Sequence, residues 1–386
     1  MNGGAGIAAL TGALWPALVV GACVAFAVCL AVVLTQRWHA RFTHDGTEGV
    51  QKFHDRPVPR VGGLGIAAGY LAAFPLMPGD LAAMWGLIGL AGLPALLAGL
   101  AEDVTKRVGV KARLLTTMGT GVLFALLTGY VMDKVDVPGV DWLLSFYVVA
   151  LLFTGFAMGG VANAVNIVDG FNGLAAGALL IMLATFAFVG AQVGDRLVVG
   201  LALGQLALVA GFFVLNFPSG RIFLGDGGAY FCGFLLAALG VLLPARNAEI
   251  SAWTAMLICG YPVIETLASI RRKARRDGHS VGQPDRVHFH MLVHRTYARR
   301  LVPRGGRISR RNPVTAALVW IAPLVTSAFV VLAWRSAALS AVLFFVAAGL
   351  YALVYRSMTL QPPRPAPRRL RRVAPGLPLA RRRVAR

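Results

Sequence analysis

The chain has 386 residues, of which 57% are hydrophobic and only 14% charged. That composition is too apolar for a soluble fold and excludes the two soluble domains that the length alone would allow. The formal net charge of +21 suits either nucleic-acid binding or a membrane topology signal, and the placement of the bases decides between them.

Segments of about 18 to 25 residues with almost no charge, long enough to cross roughly 30 Å of hydrocarbon, recur along the chain. They run over 12–34, 62–77, 81–100, 114–132, 143–162, 173–193, 197–217, 228–243, 250–270, 314–333 and 336–355. The expected fold is all-α, a polytopic bundle of about ten or eleven transmembrane helices, with the short spans 62–77 and 228–243 candidates for re-entrant elements. The first span has neither a basic n-region nor a small-residue cleavage site and is too long for a signal-peptide core, so it is expected to stay in the mature protein. Cys23, Cys29, Cys232 and Cys259 sit inside apolar spans without CxxC spacing or histidine neighbours, which indicates neither a disulfide framework nor a metal site.

With the N-terminus outside, the inner segments hold Lys and Arg in numbers of five (37–60), four (106–113), one (Arg221), thirteen (271–311) and ten (356–386), or 33 of 37. The other face keeps only Lys134, Arg196, Arg246 and Arg335, among Asp80, Asp133, Asp136, Asp141, Asp195 and Glu249. The basic face is therefore expected to be cytoplasmic. The surplus reads as a topology determinant with attraction for anionic headgroups, and no nucleic-acid partner is expected. Residues 1–355 read as one transmembrane domain with a long loop at 271–313, and the Pro- and Arg-rich stretch 356–386 as a disordered tail.

Five polar motifs interrupt this pattern. In QKFHDRPVPRVGG the cations Lys52, His54, Arg56 and Arg60 suit an anionic ligand, while Pro57 and Pro59 stiffen the re-entry of the chain. Topological anchoring explains the same bases. Glu102 and Asp103 are adjacent carboxylates that repel unless a cation, the bases Lys106, Arg107, Lys111 and Arg113, or a raised pKa compensates. A solvated helix end explains them as well.

The third motif, NAVNIVDGFNGLA over 163–175, places three asparagines and one aspartate at membrane depth. Asn163, Asn166 and Asp169 recur every three residues, so a continued helix carries them along one side into a polar mouth. In FPSGRIFLGDGGAYFCG, Asp226 lies between glycines at a helix start, where free amides attract an anion and the carboxylate can hold Mg²⁺ against it. Ordinary turn chemistry also produces Asp-Gly. The long loop carries Asp285, Arg286, His288, His290 and His294, without a nearby cysteine for a zinc site. Each motif has a plain structural reading, yet all five fall on the basic face. Bases, carboxylates and helix-terminal glycines at one mouth are what metal-assisted phosphoryl transfer needs.

In order and wording, from about Lys52 to His294, these motifs resemble the polyprenyl-phosphate N-acetylhexosamine-1-phosphate transferase family, most specifically in NAVNIVDGFNGLA, FLGDGG and PDRVHFH. The resemblance implies a multi-pass protein of the bacterial inner membrane, N-terminus periplasmic, moving a sugar-1-phosphate from a UDP-sugar to undecaprenyl phosphate and releasing UMP, for O-antigen, capsule or exopolysaccharide synthesis. By the same resemblance Asp226 and Asn166 ligate Mg²⁺, with Mn²⁺ as the alternative, and Phe223 stacks on uracil. Asp103, Glu102 and Asp169 are the implied catalytic carboxylates, the pair orienting or deprotonating the lipid phosphate, and Asp169 and Asn172 face the nucleotide-sugar. Lys52, His54, Arg286, His288 and His290 contact phosphates or sugar, and Arg60 and Asn163 complete the expected binding set.

Two departures stand out: Glu102 where the family has the first of paired aspartates, and Asn172 where many relatives carry aspartate. The run HFH in place of three histidines argues for a donor smaller than a muramyl-pentapeptide nucleotide, a UDP-N-acetylhexosamine or a deoxy relative. Direct attack by the already anionic lipid phosphate is preferred over an aspartyl intermediate. A transporter or lipid flippase is the competing class, with Glu265, inside the ninth span, its best residue. Self-association as a homodimer is left open.

Overall fold

The computed structural model describes residues 2–45, 57–275, 287–302 and 311–360. Lys52, His54 and Arg286 lie outside the described residues, as does the tail from 361 onward.

In hydrocarbon every backbone amide and carbonyl must be bonded within its own segment, and the chain meets that demand with helices. In order these are α1 (Asn2–Thr43), α2 (Gly62–Ala73), α3 (Gly79–Thr105), α4 (Val110–Thr128), α5 (Pro138–Leu144), α6 (Tyr147–Val168), α7 (Leu174–Gln192) and α8 (Arg196–Asn216). There follow α9 (Gly225–Arg246), α10 (Ala252–Ile258), α11 (Gly260–Ala274), α12 (Phe289–Val293), α13 (Arg299–Leu301), α14 (Arg311–Val319), α15 (Ile321–Ala333) and α16 (Ala337–Thr359). The exception is a two-residue antiparallel ribbon of β1 (His44–Asp45) and β2 (Val58–Pro59), with His44 opposite Pro59.

Among the described residues nine spans are long and apolar enough to cross a membrane, or ten if α10 and α11 count as one. The protein is a multi-pass membrane protein of all-α class. Of the two spans expected to be short, only Gly62–Leu76 stays below crossing length, whereas α9 extends to 22 residues. The broken span is instead 250–270, which bends by 83° between α10 and α11. Gly260 opens α11 and Pro262 has no amide hydrogen to continue the α10 ladder, so the backbone turns there. Beyond the bend α11 packs against α6.

The core is α9, buried over 83% of its apolar stretch against 17% for α16. Its N-terminus is gripped by α2 and α3 through glycines: a Cβ on Gly63 or Gly99 would come within 2.4 Å of the backbone of Gly228 or Gly227. Any side chain there displaces the helix that carries Asp226. Helix α1, also little buried, measures 42 residues, roughly 63 Å at 1.5 Å per residue. It outreaches the hydrocarbon and exposes Leu34, Trp38 and Phe42 along one stripe near its basic end.

Candidate active site

Three motifs distant in sequence are sewn together by backbone bonds. The Gly62 and Gly63 amides donate to the carbonyls of Phe223 and Leu224 (2.9 and 3.0 Å), and the Phe223 amide donates to Pro59 (2.9 Å). Gly225, which follows, has φ +75°, and a Cβ on it would lie 2.1 Å from the Arg60 carbonyl. Only glycine fits that turn, which aims Asp226 toward Arg60.

Asp226 is the hub. Its Oδ1 accepts from Arg60 Nη2 at 2.8 Å and Asn166 Nδ2 at 3.0 Å, and its Oδ2 pairs with Arg113 Nη1. Tyr230 donates its hydroxyl to Asn166 Oδ1 at 3.4 Å. Asp103 stands behind them, wholly buried, with Oδ1 accepting the Asp226 amide at 2.9 Å and Oδ2 the Gly227 amide at 3.0 Å. The anion at the start of α9 is thus a carboxylate of the protein itself, not a substrate phosphate as the glycine-rich turn suggested. Glu102, half-buried, uses Oε2 to accept the Val108 amide at 2.8 Å and closes the α3–α4 turn. The two adjacent carboxylates therefore face different ways and hold different backbone.

Helix α6 runs past the expected end at 162 to Val168, and so carries Asn163 and Asn166 as helical residues, with Asp169 at its C-cap. Asn163 donates to Thr117 Oγ1 and the Gly159 carbonyl, both at 2.8 Å, which ties it toward α4. Burial pushes the Asp169 carboxyl up to about 7; Arg60 pulls it down, while Asp226 and Asp103 push it further up. Asn172 donates to the Pro218 carbonyl at 3.2 Å and covers Gly220. Asn216, which no motif singled out, staples the two polar loops: its Oδ1 accepts the Gly173 amide and its Nδ2 donates to the Ile222 carbonyl, each at 2.8 Å.

The histidine turn closes one side. His288 and His290 stack with ring centres 5.4 Å apart, while Phe289 turns away and stacks on Tyr351 at 4.9 Å. Burial, then repulsion by His288, holds the His290 imidazole down to about 3, so it is neutral. Its Nδ1 is buried without a hydrogen-bond partner among the described residues. His294 is held down to about 4 by burial and then by Arg299, Arg311 and Arg295, and its Nδ1 meets Thr315 Oγ1 at 2.9 Å.

A cavity of about 860 Å³ links these groups. Its polar end holds Arg60, Arg113, Asn166, Asp169, Asp226 and His290, with Glu102, Asn163, Asn172, Phe223 and His288 also on its wall. The other end is apolar, bounded by Phe153, Gly160, Gly240, Ala255 and Val263 from α6, α9, α10 and α11. Leu114, Phe156, Met256, Leu267 and Ile270 line it yet stay exposed, which marks a lateral opening toward lipid. Of the expected site residues within the described part, every one but the wholly buried Asp103 lines this single cavity. Arg113 was legible only as one base among several beside the carboxylate pair; its ion pair with Asp226 places it in the site.

Fold and site together define a membrane-embedded protein with a charged mouth joined to an apolar groove. Residues 85–243 match the glycosyl transferase family 4 model. Over 246 residues the chain is 30% identical to a probable undecaprenyl-phosphate N-acetylglucosaminyl 1-phosphate transferase of Bacillus subtilis, covering 62% of this chain and 66% of the relative. It is 29% identical to a decaprenyl-phosphate N-acetylglucosaminephosphotransferase of Mycobacterium leprae, covering 61% and 66%. With a phospho-N-acetylmuramoyl-pentapeptide-transferase of Desulforudis audaxviator the identity is 33%, covering 61% of this chain and 75% of the relative. The chain belongs to glycosyl transferase family 4, among the polyprenyl-phosphate N-acetylhexosamine-1-phosphate transferases. It spans about two thirds of the length of the Bacillus and Mycobacterium relatives.

Proposed function

We propose that this protein transfers an N-acetylhexosamine-1-phosphate from its UDP-sugar to undecaprenyl phosphate at the basic, cytoplasmic face of the bacterial inner membrane. The observation that carries the proposal is the single cavity whose polar end gathers Arg60, Arg113, Asp169 and Asp226 and whose apolar end opens sideways to lipid. An acceptor with a phosphate head and a long hydrocarbon tail matches both ends at once; a soluble acceptor leaves the groove unused. The N-acetylhexosamine donor is supported by the N-acetylglucosamine-1-phosphate transfer for which the Bacillus and Mycobacterium relatives are named. Phe289 supports no preference, because it faces Tyr351 and not the cavity.

Among the described residues no group of three or more His, Cys, Asp or Glu converges to hold a metal alone. Mg²⁺ takes hard oxygen donors, with substrate phosphates and water completing its shell. Asp226 would supply a carboxylate in exchange for its pairing with Arg60 and Arg113. Asn166 would supply its amide oxygen, which here accepts from Tyr230 while its nitrogen faces Asp226. Bound there, Mg²⁺ would screen the charge of the two phosphates. In the reaction an oxygen of the lipid phosphate forms a bond to the sugar-side phosphorus, and the bond from that phosphorus to the bridging oxygen breaks, the oxygen leaving with UMP. Arg60 and Arg113 neutralise the approaching phosphates. Asp103 holds α9 and thereby Asp226, since both its oxygens are committed to backbone amides. The nucleophile is already anionic at neutral pH, so no proton abstraction is needed.

The test is purified protein with undecaprenyl phosphate, Mg²⁺ and a panel of UDP-sugars, scored for UMP and the lipid product. UMP release with at least one UDP-N-acetylhexosamine, lost in Asp226→Ala, is expected. Silence with every donor, or full activity in Asp226→Ala, rejects the proposal.

A further inference from the structure

A charge removed from water inside a bundle is costly unless its oxygens are fully engaged. Glu265 on α11 is wholly buried, and four donors engage it. Oε1 accepts from His288 Nδ1 at 2.9 Å and Arg272 Nη2 at 3.2 Å; Oε2 accepts from the Tyr351 hydroxyl at 2.6 Å and the Phe289 amide at 3.2 Å. The acid that best suited a transporter is spent inside the protein.

The donors come from three separate stretches of chain. Arg272 lies 4.7 Å over the Tyr355 ring, and the Tyr355 hydroxyl donates to the Val287 carbonyl at 3.0 Å. Helix α16, the least buried span, thus spends two tyrosines on the turn that presents His288 and His290. A carboxylate only accepts, so the His288 nitrogen facing it, Nδ1, carries the proton. With Nδ1 committed to Glu265, Nε2 on the opposite edge is the ring nitrogen left to face the cavity, which His288 lines. Through the 5.4 Å stack the same anchor sets His290.

We propose that Glu265 and Tyr351 are positioning residues: they fix His288 with its Nδ1–H on the carboxylate and hold its Nε2 edge toward the donor end of the cavity. The assignment rests on the transferase reading for the identity of the donor, but the tautomer does not. Helix α16 is by this account part of the site and not a peripheral span.

The experiment combines two readouts on the full chain. In protein labelled with ¹⁵N-histidine in detergent micelles, His288 is identified by its loss in His288→Gln, and its ring nitrogens report the tautomer directly. Wild type is expected to show Nδ1 protonated, and Glu265→Gln, whose amide can also donate, to shift His288 toward Nε2–H. Tyr351→Phe removes the hydroxyl on Glu265 Oε2 and keeps the ring on Phe289; it is expected to lower the thermal midpoint by several degrees and to raise KM for the UDP-sugar about tenfold, with KM for the lipid unchanged. An unprotonated Nδ1 in wild type, or an unchanged donor KM in Tyr351→Phe, overturns the proposal. If no UDP-sugar turns over, the transferase reading fails while the nitrogen spectra still decide the clamp.

Discussion

Asp103→Asn separates a residue that holds the site from one that performs its chemistry. The carboxylate presents one oxygen to each of two amides at the start of α9. An asparagine presents a single acceptor, and its NH₂ group faces the other amide. One N–H is left buried without a partner, costing about 1–3 kcal/mol. The surviving bond loses its charge assistance, about 1 kcal/mol more. Relief of repulsion against Asp226 works the other way but is small, below about 1 kcal/mol, because Arg60 already lies 2.8 Å from Asp226 and 3.6 Å from Asp103. The net expectation is about 2–3 kcal/mol. It should appear as a thermal midpoint several degrees lower, followed by size exclusion in detergent, and as a Mg²⁺ activation curve displaced about tenfold upward. A variant with wild-type midpoint and wild-type Mg²⁺ dependence but no turnover would refute the reasoning, and would make Asp103 a group that touches substrate.

Gly240→Leu fills the groove where a Cβ meets only Phe186 at 3.9 Å and Ala255 at 4.0 Å, so folding should be spared; KM for undecaprenyl phosphate should rise at least about tenfold, far more than KM for the donor. Arg113→Lys replaces the planar fork on Asp226 by a point charge; about a tenfold fall in kcat/KM is expected at unchanged stability, and wild-type kinetics would remove Arg113 from the site. The histidines predict a pH effect. His290, held down to about 3 from its ordinary 6.5, stays neutral in the fold while the unfolded imidazole protonates, so its contribution is complete above pH 6.5 and is lost as pH falls below it. At pH 5 the loss is about 2 kcal/mol. The thermal midpoint should drop between pH 7 and pH 5, and by less in His290→Gln; equal drops contradict the assignment.

The spans and the basic face were legible because hydrocarbon thickness and charge asymmetry act on the linear chain. The pairing of Arg60 with Asp226 was not, since it depends on Gly225 turning the backbone over Arg60, a long-range contact that no spacing encodes. Glu102 and Asp103 look equivalent as neighbours; on a helix end they point apart, one to its own turn and the other to α9. Asn216 left no signal because its work is on backbone amides of two loops, which any short polar residue in an apolar span can imitate. The break at Gly260 was readable in principle from Pro262, but the hydropathy of 250–270 masked it. Phe289 shows the limit of motif comparison: the middle position of HFH answers to Tyr351 in α16, sixty residues downstream in round terms.

The lateral opening between Leu114 and Phe156 on one side and Met256, Leu267 and Ile270 on the other changes how the acceptor must be counted. A ligand that arrives through the bilayer wall is presented in two dimensions, as molecules per leaflet area, and not per litre of buffer. At a fixed molar amount of lipid acceptor, adding detergent then thins the population that passes the doorway, and the rate falls although nothing in the test tube has become more dilute by volume. Rates measured against mole fraction in the micelle should collapse onto one curve, whereas those plotted against bulk concentration should fan apart.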